Sequence, residues 1–247
     1  MLSLYRSHPS YSIALVFSFA VCICAPVLAQ KGDPMATDID QLRIAAEQGH
    51  AEAQYHLGIL YKDGHGVAQD KTQAYAWYCK AANLGHVDAQ RRLAHAYESY
   101  GDAEGISRYL AVAFIWYRKA AEQGDASSQY YLGVMYENGK VVARDHEQAA
   151  LWYRKAAEQG DATAQNMLGL MYQDGRGVEK SHEQAAIWIG KAAEQENYQA
   201  LFDLGLMYEM GLGVPKDPEK TLTLMRRAAA GHEGAVNWLT ENGFERQ

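Results

Sequence analysis

The sequence predicts an all-α protein, an α-solenoid of about five helix-turn-helix repeats of 36 residues with half-repeat caps. Three observations lead there. Asp125–Gly160 and Asp161–Glu196 match position for position, and three more divergent copies surround them. Each copy carries two stretches of helical periodicity separated by a glycine turn. A two-helix unit of this length cannot bury its apolar face alone, so the copies must stack.

The N-terminus does not belong to the stack. Arg6 and His8 form a short positive start, Ile13–Ala25 is an apolar run of 13 residues, and Val27-Leu28-Ala29 supplies small residues for cleavage. This predicts a secretory signal peptide over residues 1–29, too short to span a bilayer comfortably. A lipid-anchoring signal would need a small residue before the modified cysteine, but Val21 precedes Cys22 and Ile23 precedes Cys24. Cleavage after Ala29 would leave Cys79 alone and unable to form an internal disulfide; it reads as a small helix residue. Loss of Arg6 takes Lys+Arg from 23 to 22 against 30 Asp+Glu, a balance of −8. That excess argues against nucleic acid or, after cleavage, a membrane surface as partner.

Residues 30–37 read as a flexible leader. Asp38–Gly49 ends in AAEQG, the second half of a repeat without its first half. Five repeats follow, at 50–85, 86–124, 125–160, 161–196 and 197–231, and residues 232–247 resemble one more opening helix. In the first half of a repeat Ala53, Leu57, Leu60, Tyr61 and Gly64 share one face. Gly58 recurs as Gly133, Gly169 and Gly205, with Ala94 in the second copy. A glycine inside a helix costs roughly 1 kcal/mol against alanine, so its recurrence implies a neighbour too close to admit a Cβ. In the second half Ala74, Trp77, Tyr78, Ala81 and Ala82 share a face, with Lys80 expected to point away. Trp116, Trp152 and Trp188 repeat Trp77, and Leu224 replaces it last. Asp70, Asp145 and Ser181 stand at capping-box spacing from a glutamine, and Asp217 precedes Pro218.

Between the halves lies G-x-G-V, at Gly64–Val67, Gly175–Val178 and Gly211–Val214. No Lys-Ser/Thr follows it and no strand precedes it, so it reads as a tight turn with positive φ rather than a phosphate loop. The second copy lacks this spacing. Its residues 98–108 carry three extra residues and are expected to form a longer loop.

The pattern A-x-x-x-L-G-x-M-Y-x-x-G-x-G-V followed by A-x-x-W-Y-x-K-A-A-E-Q-G resembles the Sel-one-like repeat family, relatives of the tetratricopeptide repeats. The resemblance covers about His50–Gly231. It implies a right-handed solenoid used as a binding scaffold, with the first helix of each pair lining the concave face. It also implies roles for secreted bacterial relatives in host interaction, envelope assembly or toxin neutralisation. A cysteine-rich branch is linked to β-lactams, but this chain lacks those cysteines.

Nothing in the sequence assembles catalytic chemistry. H-E-x-x-H and G-x-S-x-G are absent. His50, His86, His146 and His182 open helices and are expected to be solvated, and the recurrent Glu-Gln before glycine is expected to be an exposed helix end. No cofactor and no metal is predicted. The reading is an exported, non-catalytic scaffold for a protein or peptide partner. The alternatives are an enzyme acting on cell-wall or β-lactam substrates and a structural envelope spacer.

The candidate surface is the arc of each first helix opposite its packing arc, at positions equivalent to 52, 55, 56, 59, 62 and 63. Position 55 reads Tyr55, Arg91, Tyr130, Asn166 and Phe202; position 56 reads His56, Arg92, Tyr131, Met167 and Asp203. Tyr55, His56, Arg91, Arg92, Tyr130, Tyr131, Asn166 and Phe202 are the candidate partner-binding residues, because Tyr and Arg side chains anchor interfaces.

Overall fold

A computed structural model describes residues 34–104, 107–139 and 141–244. The predicted signal peptide and residues 30–33 of the leader lie outside them. Among the described residues there are twelve helices and no strand. Helix α1 (Pro34–Glu47) precedes five antiparallel pairs: α2 (Ala51–Asp63) with α3 (Lys71–Asn83), α4 (Val87–Glu104) with α5 (Ser107–Glu122), α6 (Ala126–Asn138) with α7 (His146–Glu158), α8 (Ala162–Asp174) with α9 (His182–Glu194), and α10 (Tyr198–Met210) with α11 (Pro218–Ala228). Helix α12 (Glu233–Glu241) closes the stack. Each first helix packs on its own second helix and on the second helix of the preceding repeat. The core therefore runs along the stack as successive clusters.

The helix starts follow the sequence signals. Asp70 Oδ1 accepts from the backbone N–H groups of Thr72 and Gln73 at 2.8 and 3.0 Å, and Asp145 and Ser181 cap the N–H groups of Gln148 and Gln184. Such caps are worth about 1 kcal/mol each. The expected close approach at the helical glycines is also present. A Cβ on Gly133 would lie 2.5 Å from the ring of Tyr153, so a buried side chain, not a helix backbone, is what excludes it. The second glycine of the turn has a different reason. Gly177 has φ +66, and a Cβ there would sit 2.0 Å from the carbonyl oxygen of His146. The turn of one repeat thus rests on the first turn of the preceding repeat's second helix.

Four sequence expectations are corrected. Helix α1 starts at Pro34, so residues 34–37 are helical rather than leader. Residues 98–108 do not form a long loop: α4 runs for 18 residues to Glu104 and α5 begins at Ser107, with only 105–106 outside the description. Tyr100 stands at the register where Gly64, Gly139, Gly175 and Gly211 take positive φ, so the helix lacks its left-handed stop and continues. Lys80 does not point away. Its Nζ lies 3.7 Å from the centroid of the Trp77 ring, and Lys119, Lys155 and Lys191 cover Trp116, Trp152 and Trp188 in the same way.

The Glu-Gln helix ends are exposed, as the sequence predicts, and the glutamines of the last three also act as clamps. Gln123, Gln159 and Gln195 donate from Nε2 to the Oε1 of Gln90, Gln129 and Gln165 at 2.7–2.8 Å. These buried glutamines in turn donate to the carbonyls of Ala82, Ala121 and Ala157, closing the preceding repeat's helix end. The histidines that open helices are half-buried rather than solvated, His50 excepted. His86 Nδ1 accepts from the Ala89 N–H and its Nε2 donates to Glu52, and the Nδ1 atoms of His146 and His182 are buried.

Candidate functional site

The inner arc of the first helices is built from contacts between layers. The residue at position 55 of one repeat meets the residue that opens the next. Tyr55 stacks on His86 with ring centroids 4.3 Å apart, and Phe202 stacks on His232 at the same distance. Arg91 Nε lies 3.4 Å from the Asp125 carboxylate, and Arg91 also pairs with Asp88 on its own helix. The residue at position 56 reaches back in turn. Arg92 donates from Nε to the Tyr55 hydroxyl at 2.9 Å, and Asp203 accepts from Asn166 Nδ2 at 3.2 Å.

The middle of the arc is an aromatic cluster. Tyr131 stacks on Tyr117 at 4.8 Å and meets His95 edge-on at 4.5 Å. Tyr130 lies edge-on to Tyr131 at 5.3 Å and tilted over Tyr153. Tyr117 and Tyr153 are fully buried and donate to Glu98 and Glu137. Burial first, and then the carboxylate bonded to each, push both phenols well above the usual tyrosine range. They stay protonated donors and hold those two carboxylates at the arc. Glu137 also pairs with Arg176 from the next turn.

The eight candidates therefore divide. Tyr55 and Asn166 are buried, 9 % and 4 % exposed, and serve the layer contact first. Arg91, Arg92, Tyr130, Tyr131 and Phe202 are half-buried, with part of each side chain open to a partner. His56 is exposed and pairs with Glu52 on its own helix. Sequence reasoning placed His95 and Asp203 on this arc without counting them as binding candidates, and missed His86, Asp125, Tyr117 and His232 as parts of it. Position 55 and the following cap read Tyr with His, Arg with Asp, Tyr with Asp, Asn with Asn and Phe with His; tyrosine meets two different caps, so covariation between the copies carried no signal for these pairs.

Among the acidic side chains of the arc, Asp203 is shifted by burial. Burial pushes its carboxyl up, against the hydrogen bonds from Gln199 and Asn166 that favour the charged form. Cys79 is free and half-buried, and burial pushes its thiol up, away from the reactive thiolate. Among the described residues no group of three or more His, Cys, Asp or Glu could hold a metal ion, and no helix is long and apolar enough to cross a membrane.

Comparison with known proteins also finds five repeats, each beginning one or two residues later than the copies read from the sequence. The model of the Sel1 repeat matches residues 51–86, 87–125, 126–161, 162–197 and 199–232. A 49-residue stretch, 20 % of this chain, is 45 % identical to chitin synthase regulatory factor 3 of Schizosaccharomyces pombe but spans 5 % of it. A 50-residue stretch is 40 % identical to DAP3-binding cell death enhancer 1 of Rattus norvegicus and spans 10 % of that protein. Among solved structures, the protective antigen c5321 of uropathogenic Escherichia coli is 38 % identical with TM-score 0.75, over 82 % of this chain and 43 % of that one. A Sel1 repeat protein from Oxalobacter formigenes is 31 % identical with TM-score 0.72, over 83 % of this chain and 89 % of that one. With five matched repeats and that structural likeness, the chain belongs to the Sel1 repeat family.

Proposed function

We propose that this protein is an exported, non-catalytic scaffold that holds an extended peptide or a loop of a partner protein along the inner arc of its first helices. The observation that carries this reading is the pre-set geometry of Arg91, Arg92, Tyr130 and Tyr131. Each is half-open, yet its orientation is held: Arg91, Arg92 and Tyr131 by a neighbouring layer, through Asp125, Tyr55 and Tyr117, and Tyr130 by Tyr153 of its own repeat. Side chains already ordered lose less entropy when a partner binds, and tyrosine and arginine are the types that carry interface energy. The likeness to a protective antigen supports a place outside the cytoplasm, as does the signal-peptide pattern of residues 1–29.

The test takes residues 30–247 as bait in envelope and culture fluid, followed by titration of the captured partner. Arg91→Ala and Tyr130→Ala should each weaken binding by about 1–2 kcal/mol. Melting curves belong beside the binding data, since both side chains also touch neighbours. Binding that survives both changes and fails instead with Lys155→Ala would move the partner to the opposite face. Export has its own readout: N-terminal sequencing of the processed protein should begin at Gln30, and an intact Met1 on a membrane-bound chain contradicts it.

A further inference from the structure

Four second helices carry a tryptophan at one register, and the fifth does not. Trp77, Trp116, Trp152 and Trp188 each lie under the lysine three residues on, with Nζ 3.7–4.4 Å from the ring centroid. The ring closes the seam between its own pair and the preceding second helix: Trp152 packs with Leu132 and Tyr136 of α6 and with Ala113 and Tyr117 of α5. In the fifth repeat Leu224 holds the tryptophan register and Arg227 the lysine register.

The consequence is an open cleft of about 560 Å³ between α9, α10 and α11. Leu204 and Tyr208, the counterparts of Leu132 and Tyr136, line it together with Leu224, Ile187, Gly190 and Arg227. It therefore lies where an indole ring sits in the other repeats. Gly190 widens it, standing where α5 and α7 carry Arg118 and Arg154, and a Cβ there would meet nothing within 4 Å. Ile187 leaves an apolar wall 49 % exposed. Arg227 is held at the rim by Glu196 at 2.6 Å and by the Ala193 carbonyl at 3.3 Å.

We propose that this cleft is a binding site for a tryptophan side chain supplied by a partner polypeptide. The ring enters the register that Leu224 leaves open and lies against the guanidinium of Arg227, as each internal tryptophan lies against its lysine. The rim favours a neutral indole over an anionic aromatic, since Glu183 and Glu194 line it and Arg227 is already paired with Glu196. An indole N–H is a donor only, which suits those carboxylates. This site does not depend on the inner arc. Leu204 and Tyr208 leave α10 roughly 200° around the helix from Phe202 and Leu206.

The test titrates residues 30–247 with N-acetyl-tryptophanamide, followed through backbone amide NMR shifts. Saturable shifts are expected at Ile187, Gly190 and Val214, and none with N-acetyl-alaninamide. Leu224→Trp, which fills the cleft with the residue of the other repeats, should weaken binding about tenfold or more. Gly190→Arg should do the same, and decides the matter if the first variant does not fold. Arg91→Ala should leave the titration unchanged, so this site and the inner arc fail separately. The proposal is overturned by the absence of saturation up to about 10 mM, by unchanged binding in folded Leu224→Trp or Gly190→Arg, or by tighter binding of anionic N-acetyl-tryptophan.

Discussion

Leu84 stands where Gln123, Gln159 and Gln195 close the later repeats, and its side chain is 56 % exposed. Its partner glutamine remains. Gln54 donates to the Ala46 carbonyl at 2.9 Å, but its buried Oε1 has no hydrogen-bond donor among the described residues. A hydrogen bond contributes about 1 kcal/mol net, and more when it relieves a buried acceptor. Leu84→Gln should therefore raise stability by about 1 kcal/mol in denaturant unfolding; an unchanged or lower midpoint would show that no clamp forms. The last repeat supports the same logic in reverse. Leu201 replaces the buried glutamine there, the helix end carries no glutamine, and Arg227 supplies the side-chain bond to the Ala193 carbonyl instead.

At the scale of the element, four of the five second helices place one tryptophan ring at the same register. Trp152 is 9 % exposed and lies with Ala113, Tyr117, Leu132 and Met135 in one cluster. Trp152→Ala should cost about 3–5 kcal/mol, the usual range for a large buried aromatic. Trp188 is only half-buried, and the neighbour beyond it carries Leu224 rather than a fifth ring. Trp188→Ala should cost visibly less in the same denaturant melts. Equal costs would mean that exposure at this register does not decide the packing energy. The lysines set their Nζ atoms over these rings, so each ring also gains a cation–π contact.

The whole molecule is a one-dimensional stack, and its stability is a sum over layers and the seams between them. The ends are closed unequally. On one side α1 places Leu42, Ala45 and Ala46 against Leu57 and Trp77. On the other, α12 buries Ala235 and Leu239 on α10 and α11, with nothing packed beyond it among the described residues. Hydrogen exchange should therefore show the strongest protection in α6 to α9 and progressively weaker protection toward α12. Uniform protection along the chain would mean a single cooperative block instead of a stack that frays.

The sequence by itself determined the repeat period, the helix pair in each repeat, the caps and the half-repeats at the ends. Those follow from apolar spacing, cap chemistry and left-handed glycines, all of which act within a few residues of chain. It also marked the inner arc as the variable face. What only the tertiary structure decided is how that face is used between layers. Tyr55 meets His86, Arg91 meets Asp125, and Asn166 meets Asp203, partners about 31–37 residues away along the chain. The same distance hid the glutamine clamps and the cleft beside Leu224. A contact one repeat away leaves no local periodic trace, because the stacking of layers, not the winding of either helix, brings its two halves together.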